Sequence, residues 1–291
     1  MTTTAAPESA ARWACRDVGL PDQPLIHLHE HATSVFVLPQ ESVVVRVSPV
    51  TSCERLKTAV DLTRWLAEQK FSATEPLDVP QPVVYGSYCI TFWKHYPQPD
   101  VQAPSAKHLG SLLRALHELP RPPIQLPRNR PLVSFKAMLD VSSWLTPQHR
   151  DWLRAQAGEL LDAYQQLDFP LGEGHLHGDA YPGNTLWDGE GVRLGDWDEA
   201  ACGPREVDLA NTFQGARFGR STAELDAFST EYGTDIREWD GLHVLCRIRD
   251  LHTLSSYMRR ADRGDEAAQS ELSYRIETLM SGDSSAQWSI V

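Results

Sequence analysis

The residues best suited to chemistry lie on either side of one short predicted hairpin. His177, Asp179 and Asn184 precede its first strand, and Asp196 and Asp198 follow its second. Carboxylate and amide oxygens are hard ligands that suit Mg²⁺, which prefers a few carboxylates together with substrate phosphates. A further carboxylate beside a hydroxyl can orient it and accept its proton, as phosphoryl-transfer sites require. The residue types therefore indicate a phosphoryl-transfer site.

The hairpin itself is predicted from two apolar stretches with a turn between them. Thr185–Trp187 and Val192–Leu194 are separated by four residues that contain two glycines, which is a typical hairpin signal. Because a hairpin brings its outer ends together, we expect Asp179, Asn184 and Asp196 to converge. This convergence is the spatial prediction on which the rest depends.

The part of the chain before residue 95 is rich in short β-branched runs. Ser34–Leu38 and Val43–Val47 predict an antiparallel hairpin, and Val83–Tyr85 and Ser87–Trp93 predict two more strands. Between them, Thr51–Gln69 has apolar residues at helical spacing and predicts a helix.

A proline-rich connector at 95–104 marks a change of composition, and the chain beyond it is predicted to be mostly helical. The expected fold is α+β, with a small β-rich N-terminal lobe at 1–95 and a larger helical C-terminal lobe at 96–291. A cleft between two such lobes is a favoured ligand site. The predicted helices cover 10–18, 105–119, 149–167, 221–232, 239–259 and 265–280.

Composition restricts the class of protein. The formal charge of −12 argues against a nucleic-acid binder, which needs a basic surface. No apolar run is long enough to span a membrane, and the first residues lack the pattern of a signal peptide. We therefore expect a cytoplasmic protein with neither nucleic-acid nor membrane partners.

The cysteines give no pairing signal. They are odd in number, far apart in the sequence and without a CxxC pair, so the sequence predicts neither a zinc ribbon nor a disulfide framework. The five are Cys15, Cys53, Cys89, Cys202 and Cys246.

The chain resembles the aminoglycoside phosphotransferase family of protein-kinase-like small-molecule kinases, which includes choline and homoserine kinase relatives. The resemblance extends over roughly residues 30–280, in the order of the family's motifs. It implies a two-lobed, protein-kinase-like fold. The motifs that carry it are His177-Gly178-Asp179-x-x-x-x-Asn184, Gly195-Asp196-Trp197-Asp198, Gly203-Pro204 and Asp208-Leu209-Ala210.

The resemblance implies an ATP-dependent or GTP-dependent O-phosphotransferase that uses Mg²⁺ and a small-molecule hydroxyl acceptor. Asp179 would be the catalytic base that positions the hydroxyl. Asn184 and Asp196 would hold Mg²⁺ at the nucleotide phosphates. His177 and Asp208 would be structural supports of the catalytic loop.

The same resemblance implies a nucleotide site in the first lobe. Arg46 occupies the position where the family commonly has a phosphate-gripping lysine. A glycine-rich loop is missing, so Thr33 and Ser34, or nearby backbone amides, are expected to cover the phosphates. Trp93 and His95 belong to the stretch whose backbone would meet the adenine.

One expected partner of Arg46 is missing from the sequence. The family's usual helix glutamate falls on Ala59, and Asp61 or Glu54 are the candidate substitutes. Because of these departures, a degenerate kinase-like protein that binds nucleotide poorly, or that only binds a partner, stays an alternative.

A metal hydrolase is a second alternative, because His175-Leu176-His177-Gly178-Asp179 matches the start of some dinuclear sites. Such sites require a histidine next, where this chain has Ala180. Further histidines at suitable spacing are also missing downstream.

The acceptor is predicted to be cationic. Residues 1–95 carry 8 basic and 10 acidic residues, which leaves 19 basic and 29 acidic residues, a net −10, for 96–291. Such a field attracts cations. Antibiotic inactivation is the leading role, with a metabolic amine or sugar kinase as the runner-up, and the oligomeric state is left open. The acidic candidates for acceptor binding are Asp198, Glu199, Asp226, Glu231 and Asp250.

Overall fold

The computed structural model describes residues 6–30 and 33–291, and its backbone divides into two compact units. His31 and Ala32, in the stretch predicted to cover phosphates, lie outside the described residues. The first unit, here called the sheet unit, contains the described residues up to Pro104 together with Glu118–Pro127 and Pro182–Ala200.

The second unit, here called the helical unit, contains Ser105–His117, Arg128–Tyr181 and Ala201–Val291. It holds seven of the helices described below and one pair of short strands. The predicted boundary after residue 95, with the functions assigned on either side of it, stays a prediction.

The sheet unit is built on a five-stranded antiparallel sheet in the order β1-β2-β3-β5-β4. The predicted hairpin of β2 and β3 is confirmed, and its register pairs Leu38 with Val43. The sequence does not predict β1, because two histidines and a glutamate among its five residues dilute the apolar signal. The strands are β1 (Ile26–Glu30), β2 (Ser34–Leu38), β3 (Val43–Pro49), β4 (Val83–Tyr85) and β5 (Tyr88–Lys94).

Two helices belong to this unit. The first, α1 (Pro7–Asp17), packs three small residues, Ala10, Ala11 and Ala14, into an apolar cluster with residues of β2, β3 and β5. The second, α2 (Cys53–Glu68), confirms the helix predicted over 51–69, and its buried positions follow helical spacing.

A disulfide joins α2 to the sheet, and the prediction of no disulfide is wrong. Cys53 at the start of α2 is bonded to Cys89 on β5, with a Cα–Cα distance of 5.6 Å. The pairing follows from tertiary structure, since β5 pairs with the end of β3 and the chain turns directly from there into α2. A separation of 36 residues gives no sequence signal for it.

A separate hairpin, β7 (Thr185–Asp188) with β8 (Gly191–Leu194), also belongs to the sheet unit. It confirms the central hairpin predicted from sequence. Its second strand is fixed by two backbone hydrogen bonds, from Leu194 N to Ser72 O at 2.8 Å and from Thr74 N to Leu194 O at 2.9 Å.

The helical unit has an apolar core contributed largely by α4, α5, α8 and α9. The sequence does not predict the nine-residue helices α4 and α6, which are short for a periodicity argument. Strands β6 (Glu173–Leu176) and β9 (Ala201–Pro204) form an antiparallel pair. The helices are α3 (Ala106–Glu118), α4 (Val133–Val141), α5 (Pro147–Gln165), α6 (Glu206–Gln214), α7 (Thr222–Tyr232), α8 (Leu242–Ala261) and α9 (Glu266–Met280).

The last residues of the chain are held by a buried charge. The side chain of Arg275 on α9 is 1% exposed and bonds Glu271 at 2.8 Å and the Ser289 carbonyl at 2.6 Å. Its guanidinium carbon lies 4.0 Å from the ring centre of Tyr257 and 4.9 Å from that of Trp288. The segment after α9 is therefore part of this core.

Among the described residues, no helix combines the length and the apolar character that crossing a membrane requires.

Candidate active site

The two predicted metal ligands lie at the same end of the β7–β8 hairpin. Because Thr185 pairs with Leu194, the next residues outward are Asn184 and Gly195, and the Gly195 amide donates to the Asn184 carbonyl at 2.8 Å. Asp196 follows with φ 60° and ψ 62°, in the left-handed region that non-glycine residues rarely adopt. Its side chain is 49% exposed. The backbone therefore brings residue 184 next to the segment that carries Asp196. A side-chain amide and a carboxylate are a donor set that fits Mg²⁺, and metal binding by these two residues stays a prediction.

Arg46 lies on β3, between β2 and β5, where Val35 and Thr91 are its partners in the sheet. Its guanidinium forks onto Asp198, from Nη2 to Oδ2 at 2.8 Å and from Nη1 to Oδ1 at 3.2 Å. Nη2 also donates to Asp196 Oδ1 at 3.1 Å. Burial disfavours the charged guanidinium, but the charges of Asp198 and Asp196 outweigh it and raise the Arg46 pKa.

The structure therefore brings Arg46 together with Asp196, as sequence reasoning requires, and adds Asp198. The ion pairs of Arg46 within the described residues are with Asp196 and Asp198, and neither predicted substitute for the helix glutamate takes part in them. Asp61 on α2 instead accepts from Lys57 at 2.9 Å, and Ala59 is buried. Glu199, the other predicted acceptor contact in this segment, pairs with Arg55 at 2.5 Å.

The residues predicted to cover the phosphates lie near the start of β2. The Oγ1 atom of Thr33 is 3.0 Å from Ser48 Oγ, and Ser34 is buried in the sheet opposite Val47. Because the Thr33 hydroxyl is engaged and Ser34 is buried, backbone amides are the better candidates for phosphate contact.

The predicted adenine contacts lie at the end of β5. Trp93 is buried, and its indole N–H donates to Thr91 Oγ1 at 2.9 Å. The backbone amide of His95 donates to the Ser42 carbonyl at 2.7 Å. These contacts fix the segment, while adenine binding by Trp93 and His95 stays a prediction.

In the helical unit, the loop after β6 is held by a fully buried aspartate. Asp208 on α6 accepts from the backbone amides of His177 and Gly178, each at 2.8 Å. Its Oδ2 atom lies 3.1 Å from His117 Nε2, and His117 Nδ1 lies 2.9 Å from the Tyr232 hydroxyl. Burial alone would raise the Asp208 pKa, but His117 and the bonds to the loop lower it.

Asp179 lies in the helical unit two residues beyond His177 and forms an ion pair that sequence reasoning missed. Arg249 Nη2 on α8 donates to Asp179 Oδ1 at 2.7 Å, and the two side chains are 16% and 27% exposed. Three residues further along α8, burial, reinforced by the charge of Arg249, lowers the His252 pKa to about 4. Arg249 and His252 are three residues apart and share one face of α8. The sequence gives no signal that this face meets Asp179, which is 70 residues away. The convergence of Asp179 with Asn184 and Asp196 stays a prediction.

The other acidic candidates for acceptor binding are each engaged by a cation within the helical unit. This reduces the local attraction that a cationic acceptor would meet. The pairs are Asp226 with Arg237 at 2.6 Å, Glu231 with Lys107 at 3.5 Å and Asp250 with Arg217 at 3.3 Å.

No group of three or more His, Cys, Asp or Glu side chains that could hold a metal ion is found within residues 6–28 and 33–291. The hydrolase alternative depends on such a cluster. An amide and a carboxylate that bind a metal together with substrate phosphates are a different arrangement.

The family is decided by comparison with known proteins. The sequence model described as "Phosphotransferase enzyme family" (APH) matches residues 26–245, which is more than half of the chain. The chain belongs to this family. No curated protein sequence matches it significantly.

Solved structures show the same fold. The chain resembles the amicoumacin kinase hAmiN in complex with AMP-PNP, Ca²⁺ and Ami, with a TM-score of 0.75, 12% identity and coverage of 97% of this chain and 95% of that one. A choline/ethanolamine kinase family protein from Mesorhizobium loti has a TM-score of 0.67 and 18% identity, with coverage of 96% of this chain and 97% of that one. A spectinomycin phosphotransferase in complex with ADP and spectinomycin has a TM-score of 0.64 and 15% identity, with coverage of 96% of this chain and 95% of that one. The predicted α+β, kinase-like fold and the predicted family are thereby confirmed.

Proposed function

We propose that this phosphotransferase moves the γ-phosphate of ATP, or of GTP, to a hydroxyl of a small molecule. The observation that carries the proposal is the hairpin end of the sheet unit. There Asn184, Asp196 and Arg46 supply an amide, a carboxylate and a guanidinium, which are the groups that a metal-bound triphosphate requires.

Asn184 and Asp196 are the residues that would hold Mg²⁺, whose chemistry is to neutralise charge on the nucleotide phosphates. Arg46 would bind the phosphates directly, through the N–H donors of its guanidinium that Asp198 does not engage. Backbone amides near Thr33 and Ser34 would cover the phosphates, and the segment with Trp93 and His95 would meet the base.

Asp179 is proposed as the base that orients the acceptor hydroxyl and takes its proton. Phosphoryl transfer passes through a loose transition state, so positioning matters more than a strongly basic group. The ion pair with Arg249 supports this role, because it holds one oxygen of the carboxylate and leaves the other to face the acceptor hydroxyl. The bonds from His177 and Gly178 to Asp208 hold the loop that carries it.

For the acceptor, antibiotic inactivation is the leading role, and a metabolic amine or sugar is the second candidate. The support is the net charge of −10 over 96–291, and the similar solved proteins include both a spectinomycin phosphotransferase and a choline/ethanolamine kinase family protein. A cytoplasmic location, with neither nucleic-acid nor membrane partners, belongs to the same proposal.

The test is acceptor-dependent ADP release with Mg²⁺ and ATP across a panel of antibiotics and small alcohols, with mass spectrometry for an added phosphate. Asp179→Ala is expected to lower turnover by about a thousandfold or more while the circular dichroism spectrum and melting temperature stay near wild type. Near-normal turnover of this variant would remove Asp179 as the base. If no acceptor and no nucleotide-dependent thermal shift is found, a non-catalytic binding protein is the better description.

A further inference from the structure

We propose that Asp198 is the positioning residue of Arg46, holding its guanidinium in place for the nucleotide phosphates while Asp196 changes partner. The inference rests on the proposed function, which assigns Arg46 to those phosphates. It replaces the predicted acceptor role of Asp198 with a nucleotide-side role.

The two aspartates bind Arg46 in different ways. Asp198 takes both Nη atoms in a fork at 2.8 and 3.2 Å, and its side chain is 12% exposed. Asp196 takes one Nη atom at 3.1 Å through one oxygen, and its side chain is 49% exposed. A two-point contact sheltered from water fixes the orientation of a guanidinium, whereas a one-point contact at an accessible carboxylate exchanges readily.

The position of Asp198 is set by its neighbour. Trp197 is buried, its indole N–H donates to the Leu194 carbonyl at 2.9 Å, and its ring meets the edge of Phe71 at 5.9 Å. These contacts anchor the short helical turn Trp197–Glu199, so residue 198 is placed without help from Arg46.

Arg46 is equally constrained from its own side. Strands pair on both sides of β3, and the backbone at this position is fixed by Val35 and Thr91. The fork therefore joins two points that are each held by other contacts. Because both backbone positions are held, the freedom that the fork removes is that of the side chains, chiefly the long arginine.

Helix α2 supplies no carboxylate partner for the Arg46 guanidinium among the described residues. Ala59, at the position of the family's usual glutamate, has no polar atom in its side chain, and Asp61 is engaged with Lys57. With Asp198 retained, Asp196 can leave Arg46 for another cation, and the guanidinium keeps a partner throughout.

The experiment measures Mg·ATP affinity of the full chain by calorimetry, and the KM for ATP and kcat where an acceptor is known. Asp198→Asn keeps the size of the side chain and removes its charge, and we expect about tenfold weaker nucleotide binding. Asp198→Glu is expected to recover most of the loss, because it restores the carboxylate. Asp61→Asn is the matched control, and its affinity is expected to equal wild type.

A double-mutant cycle separates positioning from folding. If Asp198 acts through Arg46, Asp198→Asn has no further effect on Mg·ATP affinity in an Arg46→Gln background. An additive loss of affinity in the double variant, or wild-type affinity of Asp198→Asn, would overturn the inference. The proposed function would still stand in either case, as long as the wild-type protein binds Mg·ATP. Absence of Mg·ATP binding by the wild-type protein would overturn both.

Discussion

Two aspartates of this chain illustrate opposite uses of the same side chain. Asp208 in the helical unit is fully buried, and two of its donors are backbone amides. Asp196 in the sheet unit is half exposed, and its donor is one Nη atom of an arginine side chain. A buried carboxylate with backbone donors loses much by releasing them, whereas an exposed one exchanges a side-chain partner for a ligand at little cost.

Asp179 lies between these extremes. It is partly exposed, and it forms an ion pair with the side chain of Arg249 on α8, 70 residues along the chain. The three residues therefore form a scale from fixed support to exchangeable ligand, and variants at each step test whether burial and donor type decide the role.

The largest expected effect on stability is at the buried end. Asp208→Ala leaves the amides of His177 and Gly178 without their acceptor, and it should lower the free energy of unfolding by about 3 kcal/mol. The measurement is urea denaturation. Asp196→Ala is the comparison and should stay within about 0.5 kcal/mol of wild type. Equal losses in the two variants would show that burial does not separate their roles.

The next effect concerns turnover. Arg249→Gln removes the cation that orients Asp179, and we expect kcat to fall about tenfold. Mg·ATP affinity should be unchanged, since the proposed nucleotide ligands belong to the sheet unit. Arg247→Gln, on the same helix and bonded to Gln156 at 2.8 Å, is the control. If the two variants have the same kcat, Arg249 has no part in positioning.

His252 gives a pH-dependent test of the same region. Its folded-state pKa of about 4 lies below the ordinary value of 6.5, so the unfolded chain takes up a proton first as the pH falls. Wild type therefore loses stability from pH 6.5 toward pH 4, by about 2 kcal/mol at pH 5. His252→Gln should show a flatter decline in melting temperature between pH 7 and pH 5. Parallel curves for the two proteins would contradict the assignment.

The smallest effect is expected at an exposed cap. The Ser221 hydroxyl accepts from the Glu224 amide at 3.3 Å, and the Ser221 amide donates to the Glu224 carboxylate at 3.0 Å. Ser221→Ala should cost about 0.5–1 kcal/mol, well below the buried Asp208. Ser270→Ala, which removes a hydroxyl bonded to the carbonyl one turn before it, is the control and should not destabilise.

The elements that sequence predicts well are those whose signal is local. The β2–β3 hairpin, the β7–β8 hairpin and the capping box at Ser221 each depend on residues a few positions apart. The same holds for the Asn184–Gly195 contact, which follows directly from the hairpin register.

Long-range partners are the part that sequence does not supply. Arg249 is 70 residues from Asp179, and Asp198 is 152 residues from Arg46. The disulfide between Cys53 and Cys89 depends on which strands pair. An arginine or a cysteine has many possible partners of suitable chemistry, and only tertiary packing selects one.

The guanidinium of Arg275 has a practical consequence for anyone who shortens or labels this protein. Chain ends are commonly trimmed as dispensable. Here, deletion of residues 288–291 would remove the Ser289 carbonyl and the Trp288 ring, and the buried Arg275 guanidinium would keep Glu271 but lose these two partners. Residues 288–291 complete the packing around this guanidinium, so their deletion should reduce the yield of folded protein. This is expected even though they are far along the chain from every residue proposed to bind nucleotide or metal.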